Sequence, residues 1–477
     1  MATSNVDVLI VGAGISGIDA AYHLQTSCPE TSYTICEARE ALGGTWDLFR
    51  YPGIRSDSDM YTLGFPFRPW TRDKSIADGD SILAYIRETA QAYGIDRHIR
   101  YSHRIERASW ERGRWTVDGT ADGQPFSITC KFLFLCSGYY DYAEGYTPEL
   151  AGRDRFRGAV VHPQHWPADL DYTGKRVVVI GSGATAVTLV PELAKRAAHV
   201  TMLQRSPTYI MSRPANDKIA DWLRAKLPAR RAYSLTRWKN VLLGAAFYSY
   251  CRRFPDRAKR LLVGSVKKLA PEVDVATHFT PHYAPWDQRL CLVPDADLFA
   301  ALRASTVSVV TDHVDTFTET GIALRSGQTL AADVVVTATG LKLKRFGGLT
   351  LAVDGTPVDI PKAMVYRGMM LSDVPNLAFA VGYTNASWTL KCDLTSRYVC
   401  RLVNHMAKHG YTEARPRRDP SVEEVPLLDF TSGYVQRSIQ DFPRQGSVVP
   451  WRLYQNYPLD LLLLGRARLT DGVMQFA

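Results

Sequence analysis

The stretch "VDVLIVGAGISGIDAAYHL", residues 6–24, decides the fold. Its first six residues are nearly all apolar and predict a buried parallel strand. Gly12, Gly14 and Gly17 follow at once in GxGxxG spacing, and an apolar periodic run then predicts a helix. In such a turn, the glycines permit a tight bend, a close approach of backbone to pyrophosphate, and close helix–strand packing. The free N–H groups at the helix start favour phosphate.

An acid after the next strand strengthens this interpretation. "SYTICE" predicts a second strand and ends in Glu37, about 20 residues beyond the last glycine. A carboxylate at this place binds ribose hydroxyls. The first turn is therefore predicted to hold the adenosine half of a dinucleotide.

The same pattern occurs a second time. "KRVVVIGSGATA" places Gly181, Gly183 and Ala186 in the same spacing after a strand. The next strand, "HVTMLQ", ends in Gln204 and Arg205 instead of an acid. Because an arginine there suits a 2′-phosphate, the second site favours NADP over NAD.

Two dinucleotide turns in one chain predict FAD at the first and NADPH at the second. The expected fold class is α/β, with two Rossmann-like dinucleotide-binding domains and a helical insertion in the second. "KFLFLCSG" and "ADVVVTATG" are interpreted as strands that end where the chain crosses between domains. The predicted boundaries are 1–143 and 341–477 for a discontinuous FAD domain, 148–340 for the NADPH domain, and 216–275 for the insertion.

A last buried strand is predicted in "PNLAFAVGYTN", residues 375–385. Asn385 and Trp388 follow it, where contacts with flavin or substrate are expected; core packing is the alternative for Trp388.

Composition excludes several classes of protein. The eight cysteines form no CxxC pair and no zinc-type spacing, so we expect buried free thiols in a reducing cytosol and no disulfide reductase. The longest strongly apolar run in the middle of the chain, residues 241–250, is too short to span a bilayer. His162 and His165 alone make a poor metal site, so no metal is predicted.

The positive charge is concentrated in one segment. The formal net charge is +9, and residues 217–268 hold fourteen Lys or Arg against three Asp. We favour an amphipathic helical insertion whose apolar stripe packs inward. The alternative is a peripheral contact with a membrane surface or an anionic partner. No nucleic-acid recognition motif accompanies the charge.

Three further segments carry motifs: "GGTWDLFRYPGIRSD" at residues 43–57, "FRGAVVHPQHWP" at residues 156–167 and "PWDQRLC" at residues 285–291. They resemble motifs of Baeyer–Villiger flavin monooxygenases, most closely those of the actinobacterial ethionamide-activating group. The pattern FxGxxxHxxxW is met by "FRGAVVHPQHWP" at Phe156, Gly158, His162 and Trp166. "GGTWDLFRYPGIRSD" meets GGxWxxxxYPGxxxD at Gly43, Gly44, Trp46, Tyr51, Pro52, Gly53 and Asp57. "PWDQRLC", residues 285–291, is similar to a third segment of the group.

The resemblance implies an NADPH- and O₂-dependent FAD enzyme that acts through a flavin C4a-peroxide. Small apolar ketones would give esters or lactones, and sulfides or thioamides would be S-oxygenated. The peroxide anion needs a fixed cation, which the resemblance assigns to Arg289, with Asp57 holding it; Asp59 is the alternative partner. Many relatives carry Lys where this chain has Gln288, so coenzyme preference depends more on Arg205.

The other motif residues receive weaker roles. We expect Gly44, Trp46 and Tyr51 to line the flavin pocket. The alternative for Trp46 and Tyr51 is that they are core aromatics. The FxGxxxHxxxW segment is interpreted as a linker that sets how the domains meet, with Gly158 permitting a turn. The competing function is a flavin-containing N- or S-monooxygenase without ketone activity.

Overall fold

A computed structural model describes residues 4–428 and 430–477 of the chain. The helices are α1 (Ile15–Ser27), α2 (Thr45–Leu48), α3 (Met60–Leu63), α4 (Gly79–Ala92), α5 (Ala184–Leu193), α6 (Lys218–Lys226), α7 (Ala229–Arg253), α8 (Pro255–Leu269), α9 (Val275–His278), α10 (Asp297–Arg303), α11 (Trp388–His409), α12 (Gly433–Gln436) and α13 (Tyr457–Gly465). In this part of the chain, no helix is both long and apolar enough to cross a bilayer.

The strands, in chain order, are β1 (Ser4–Val11), β2 (Tyr33–Cys36), β3 (Ile99–Arg100), β4 (His103–Glu111), β5 (Arg114–Ala121), β6 (Gln124–Leu135), β7 (Tyr140–Gly145), β8 (Ala159–Val161), β9 (Arg176–Ile180), β10 (His199–Gln204), β11 (Ile210–Arg213), β12 (Cys291–Pro294), β13 (Val307–Thr311), β14 (Val314–Thr318), β15 (Gly321–Leu324), β16 (Thr329–Ala331), β17 (Val334–Thr337), β18 (Leu341–Leu343), β19 (Thr350–Val353), β20 (Thr356–Pro357), β21 (Val365–Tyr366), β22 (Met370–Leu371), β23 (Leu377–Phe379), β24 (Ala414–Pro416), β25 (Glu424–Pro426), β26 (Arg444–Gly446) and β27 (Met474–Phe476).

The larger sheet is built around β1, the strand of the first glycine turn. Strands β3, β2, β1, β6 and β23 are parallel neighbours in that order, and β5, β4, β19 and β20 extend the sheet beyond β6. The parallel part has the doubly wound order in which ligands bind at the carboxyl ends of the strands. The first glycine turn, after Val11, lies at that edge.

The second sheet repeats this arrangement around β9. Its five strands, in the order β13-β10-β9-β17-β8, are all parallel. Between the sheets, β7 and β18 pair antiparallel, so the outgoing and returning chain lie side by side. The strands of the first sheet come from residues 4–135 and 350–379, and those of the second from residues 159–337. This distribution is compatible with the proposed first unit of residues 1–143 and 341–477 and the proposed second unit of residues 148–340.

The basic segment forms α6, α7 and α8, as the expected helical insertion requires. The insertion interrupts the second unit in sequence, yet α7 packs against α3 beside the first sheet, while α8 packs against β11. The side chain of Arg237, on α7, is buried and donates to the carbonyls of Tyr61 at 2.7 Å and Gly64 at 2.8 Å. The insertion therefore contacts both units.

The core has a large apolar cluster on each side of the first sheet and another around α5 and the second sheet. All eight cysteines are buried and free, which confirms that sequence expectation.

Candidate functional site

One cavity of about 980 Å³ extends between the two glycine turns. It is lined by residues of both units, among them Gly12, Gly14, Glu37, Gly44, Trp46, Tyr51, Asp57, Gly181, Gly183, Arg205 and Arg289. These predicted site residues, scattered along the sequence, therefore share a single space. Gly17 and Ala186 do not line it, since both are buried behind the turns.

The first glycine turn brings bare backbone to the cavity. A Cβ on Gly12 would lie 2.6 Å from the Cys136 carbonyl oxygen, and one on Gly17 would lie 1.9 Å from the Gly12 oxygen. Gly12 also has a φ of 105°, a conformation that favours glycine. Gly14 begins α1 without a side-chain cap, so the first N–H groups of this helix remain available to a ligand.

Glu37 lies where the sequence pattern predicts the ribose-binding acid. Its Oε2 accepts from the Ala13 N–H at 2.7 Å and its Oε1 from the Arg39 N–H at 2.9 Å. These bonds fix the carboxylate at the cavity wall while leaving lone pairs for a ligand hydroxyl. Burial raises the pKa of Glu37, although the two backbone bonds oppose that effect.

The second turn has the same construction. A Cβ on Gly181 would lie 2.3 Å from the Ala338 oxygen, whereas no atom lies within 4 Å of one on Gly183. Gly183 begins α5 and again provides no side-chain cap. Ala186, at the third position of the pattern, packs into the core around α5. The turn can thus present its N–H groups to a phosphate.

Arg205 follows β10 at the cavity wall and is exposed. Within the described residues, its guanidinium has no ion-pair or hydrogen-bond partner. The preceding Gln204 points into the protein, where its amide donates to the His278 carbonyl at 2.7 Å. Arg205 is therefore the charged side chain that this strand end offers to a ligand.

Arg289 and Asp57 meet inside the cavity. The Arg289 Nη2 lies 2.7 Å from the Asp57 Oδ2. The Asp57 carboxylate raises the pKa of Arg289 above its usual value, so the guanidinium is charged at every working pH. Asp59, the alternative partner, instead caps α3, accepting from the Thr62 N–H at 3.0 Å.

Three phenols surround this ion pair. Tyr139, Tyr140 and Tyr434 line the cavity, and each interacts electrostatically with Arg289. Burial raises the pKa of Tyr140 and of Tyr434 to about 12, and it raises the pKa of Tyr139 well above its usual value. All three therefore stay protonated near neutral pH and can donate hydrogen bonds. Sequence reasoning missed them because no spacing in the sequence relates Tyr139 and Tyr140, at the start of β7, to Tyr434 on α12.

The remaining aromatic candidates line the cavity and also pack within the protein. Trp46 and Tyr51 line the cavity while packing on the core clusters, and Trp388 lines it with its Nε1 donating to the Ser16 hydroxyl at 2.8 Å. Asn385 does not line the cavity. Its Nδ2 donates to the Gln455 carbonyl at 2.8 Å, which turns the amide toward the C-terminal segment.

His162 makes hydrogen bonds at the place where the chain crosses between the two units. Its Nδ1 accepts from the Gln164 N–H at 3.2 Å, and its Nε2 donates to the Gly340 carbonyl at 3.1 Å. Burial lowers the pKa of His162, which favours this neutral tautomer. A Cβ on Gly145 would lie 1.9 Å from the imidazole. His162 thus touches the last residue of β7 and the residue before β18.

The other linker residues lie outside the main cavity. Phe156 packs on Phe317 in the core of the second unit, and Trp166 packs on Tyr172. Gly158, which was expected to permit a turn, lies at a bend just before β8. Its φ is not in the left-handed region, but a Cβ there would lie 2.4 Å from the Asp333 carbonyl oxygen. Gly158 permits a close approach.

Two interactions at the site had no sequence signal. The Arg437 guanidinium lies 3.5 Å from the centre of the Tyr146 ring, and both residues line the cavity. Arg55, in the GGxWxxxxYPGxxxD segment, pairs with Asp297 on α10. This second pair joins the first unit to the second beside the Asp57–Arg289 pair.

Comparisons with known proteins identify the family and the fold. The flavin-binding monooxygenase-like family model matches residues 5–222. The fold is the mixed α/β fold of a steroid monooxygenase bound to NADP, with a TM-score of 0.77 and 22% identity over 99% of both chains. It also matches cyclohexanone monooxygenase from Rhodococcus sp. Phi1 bound to NADP⁺, with a TM-score of 0.71 and 19% identity over 88% of this chain and 87% of that one.

A full-length relative fixes the family. The FAD-containing monooxygenase EthA of Mycobacterium tuberculosis (strain ATCC 25618 / H37Rv) is 58% identical over 100% of this chain and 98% of its own length. The aligned region extends over the whole chain and therefore spans both glycine turns and the segments that supply Asp57 and Arg289. The chain therefore belongs to the family of FAD-containing monooxygenases that includes EthA.

Proposed function

We propose that the chain is an NADPH- and O₂-dependent Baeyer–Villiger monooxygenase. A ketone, O₂, NADPH and a proton would give an ester or lactone, NADP⁺ and water. A sulfide would give its sulfoxide with the same co-reactants. The observation that carries the proposal is the Arg289–Asp57 ion pair in the cavity between the two nucleotide turns.

The residues of both turns fit the two cofactors. At the first turn, Gly12 and Gly14 leave bare backbone at the start of α1, and Glu37 offers its carboxylate to a ribose, as the adenosine half of FAD requires. At the second turn, Gly183 leaves open space, and Arg205 offers an unpaired cation to the 2′-phosphate of NADPH. FAD, once reduced by NADPH, supplies the activated oxygen.

Arg289 acts as the fixed cation of this site. A guanidinium donates several hydrogen bonds in a rigid plane and holds its charge, which suits an anion that forms during the reaction. Asp57 occupies one side of it at 2.7 Å and so sets which N–H groups face the cavity. The phenols of Tyr139, Tyr140 and Tyr434 remain protonated donors around the same space.

Product analysis tests the proposal. Purified enzyme incubated with NADPH, O₂ and 2-octanone should form an ester, detected by gas chromatography with mass spectrometry. Arg289→Ala should keep FAD and its reduction by NADPH yet lose ester formation. The absence of an ester from a panel of ketones, together with rapid sulfoxidation, would instead identify an N- or S-monooxygenase. Ester formation at the normal rate in Arg289→Ala would show that the cation is elsewhere.

A further inference from the structure

The helical insertion exposes an unusual amount of apolar surface. Of the twelve exposed large apolar side chains among residues 4–428 and 430–477, eight lie between residues 219 and 261. Trp222 is 61% exposed, and Leu242 and Leu243 are each 55% exposed. The expectation that the apolar stripe of this segment packs inward is therefore only half correct. A contiguous exposed apolar patch marks an interaction site.

Helix α7 has two apolar faces. On one face, Tyr233, Arg237 and Val241 are buried at intervals of four residues against the body of the protein. On the other, Leu235, Trp238 and Leu242 recur at intervals of three and four residues and are exposed. The inner face holds the helix against the protein; of the outer stripe, Trp238 also packs on Tyr457, with ring centroids 6.0 Å apart, while Leu235 and Leu242 are more than half exposed.

Helix α6 extends the exposed stripe. Ile219 and Trp222 are exposed one turn apart on α6. Asp217, which caps α6, also pairs with Lys239, the neighbour of Trp238. The first turn of α6 thus lies beside the middle of α7. We call this region the α6–α7 surface, with the apolar members Ile219, Trp222, Leu235, Trp238 and Leu242.

The same two helices carry cations on this surface. Lys218, Lys226 and Arg231 are exposed, and none has an ion-pair partner among the residues that the structure describes. Elsewhere on α6 and α7, Arg224, Lys239 and Arg252 are paired with Asp residues. These three cations, unpaired among the described residues, therefore complete the α6–α7 surface.

This combination selects one occupant. Two copies meeting through the α6–α7 surface would bring the three cations of each against those of the other, which opposes association. A nucleic acid would satisfy the cations but leave the leucines and Ile219 uncovered. A bilayer of anionic phospholipids satisfies both, since Trp and Leu insert at the headgroup–acyl boundary and Lys and Arg face the phosphates.

We propose that the α6–α7 surface docks the enzyme on an anionic phospholipid membrane. The docking is peripheral, with apolar side chains inserted and cations against the headgroups. The inner face of α7 places Val241 against Tyr383 and Leu390, and Tyr383 lines the main cavity. One helix thus separates the docking surface from the cavity wall.

Vesicle flotation with the full-length, FAD-loaded protein tests this proposal. We expect binding to vesicles of phosphatidylcholine mixed with phosphatidylglycerol, little binding to phosphatidylcholine alone, and loss of binding at high salt. Trp222→Ser with Leu242→Ser should lower the partition coefficient on the order of tenfold. Lys226→Glu with Arg231→Glu should lower it by more than about tenfold on anionic vesicles, since each cation near the surface contributes about fivefold.

Matched controls distinguish the surface from general effects. Val448→Ser removes an equally exposed apolar side chain elsewhere, and Lys408→Glu reverses an exposed cation elsewhere. Neither should alter vesicle binding, and FAD absorbance and circular dichroism should be unchanged in all variants. Three results would each overturn the proposal: no flotation of the wild-type protein, unchanged flotation of the surface variants, or a dimer in solution that the Trp222 variant dissociates.

Discussion

The guanidinium of Arg289 is held 2.7 Å from the carboxylate of Asp57, across the cavity that lies between the two nucleotide turns. Asp57 comes from a loop before α3, and Arg289 comes from the segment before β12. The pair therefore forms only when both units are folded and apposed. Its geometry depends on how the units meet as well as on either residue.

Replacing Asp57 with Asn should release the cation without emptying the site. Loss of one charge-assisted hydrogen bond costs about 1.5–3 kcal/mol, so ester formation should fall roughly tenfold to a hundredfold. We expect FAD to remain bound and hydrogen peroxide to rise relative to NADPH consumed. The matched variant Asp59→Asn affects the cap of α3 and should leave the ratio of ester to peroxide as it is. Equal ratios in wild type and Asp57→Asn would contradict the role of the pair.

Replacing Arg205 with Ala should change coenzyme preference. The unpaired guanidinium at the end of β10 is the cation offered to the 2′-phosphate, so its loss should cost NADPH binding about 1.5–3 kcal/mol. NADH, which lacks this phosphate, should be affected little. Steady-state KM values for both coenzymes measure the difference, and Arg325→Ala, an exposed arginine that does not line the cavity, is the control. A parallel loss for both coenzymes would mean that Arg205 is structural.

Replacing His162 with Ala should impair turnover while leaving FAD in place. The variant loses the hydrogen bonds to Gln164 and Gly340, each contributing about 1 kcal/mol, and opens space at Gly145. Slower turnover and more uncoupled peroxide are expected from stopped-flow and peroxide assays. His165→Ala removes an exposed imidazole bonded to the Ala143 carbonyl and should have a smaller effect. Because His162 is neutral, the pH profile should keep its shape in both variants.

A buried carboxyl between α1 and α11 should make stability fall as pH rises. Burial raises the pKa of Asp19 to about 7, although His23 opposes this. For His23, burial lowers the pKa, but Asp19 and Asp393 outweigh it and raise the pKa. The folded state thus holds protons that the unfolded chain releases, so stability declines from about pH 4 to about pH 7.

Asp19→Asn should weaken this decline. Denaturant unfolding at several pH values measures it, and the variant should gain stability relative to wild type as pH rises through that window. Asp122→Asn, at an exposed turn, is the control. A variant whose unfolding free energy follows pH as steeply as wild type would exclude Asp19 as the cause.

Local sequence patterns predicted the fold, but they did not predict the contacts between residues that are distant in sequence. The glycine spacing at Gly12 and Gly181 predicts both turns because the chemistry of a strand–turn–helix is contained in a few neighbouring residues. The Asp57–Arg289 pair came from family resemblance alone, since no spacing in the sequence relates two loops of different units. The cluster of phenols and the Arg437–Tyr146 contact form where α12 and its end approach β7 and its neighbouring residues, which are distant in sequence, so they left no periodic signal.

The basic insertion shows a different limit. Amphipathic spacing predicts α7, but it does not tell which apolar face is covered when a helix has two. Leu235 and Val241 have the same chemistry, and only packing distinguishes the exposed one from the buried one. The prediction that Asn385 contacts flavin or substrate has a related limit. Its side chain turns to a C-terminal segment that is distant in sequence, which local spacing does not reveal.

The anchoring of α7 by Arg237 limits how the enzyme can move. The guanidinium grips carbonyls at α3 beside the first sheet, whereas α8 continues directly from α7 and packs on β11 of the second unit. The helical insertion is therefore a third connection between the two units, in addition to the two chain crossings at β7 and β18. Rotation of one unit against the other must bend all three connections. Within the insertion, the bend can occur at Phe254, between the end of α7 and the start of α8.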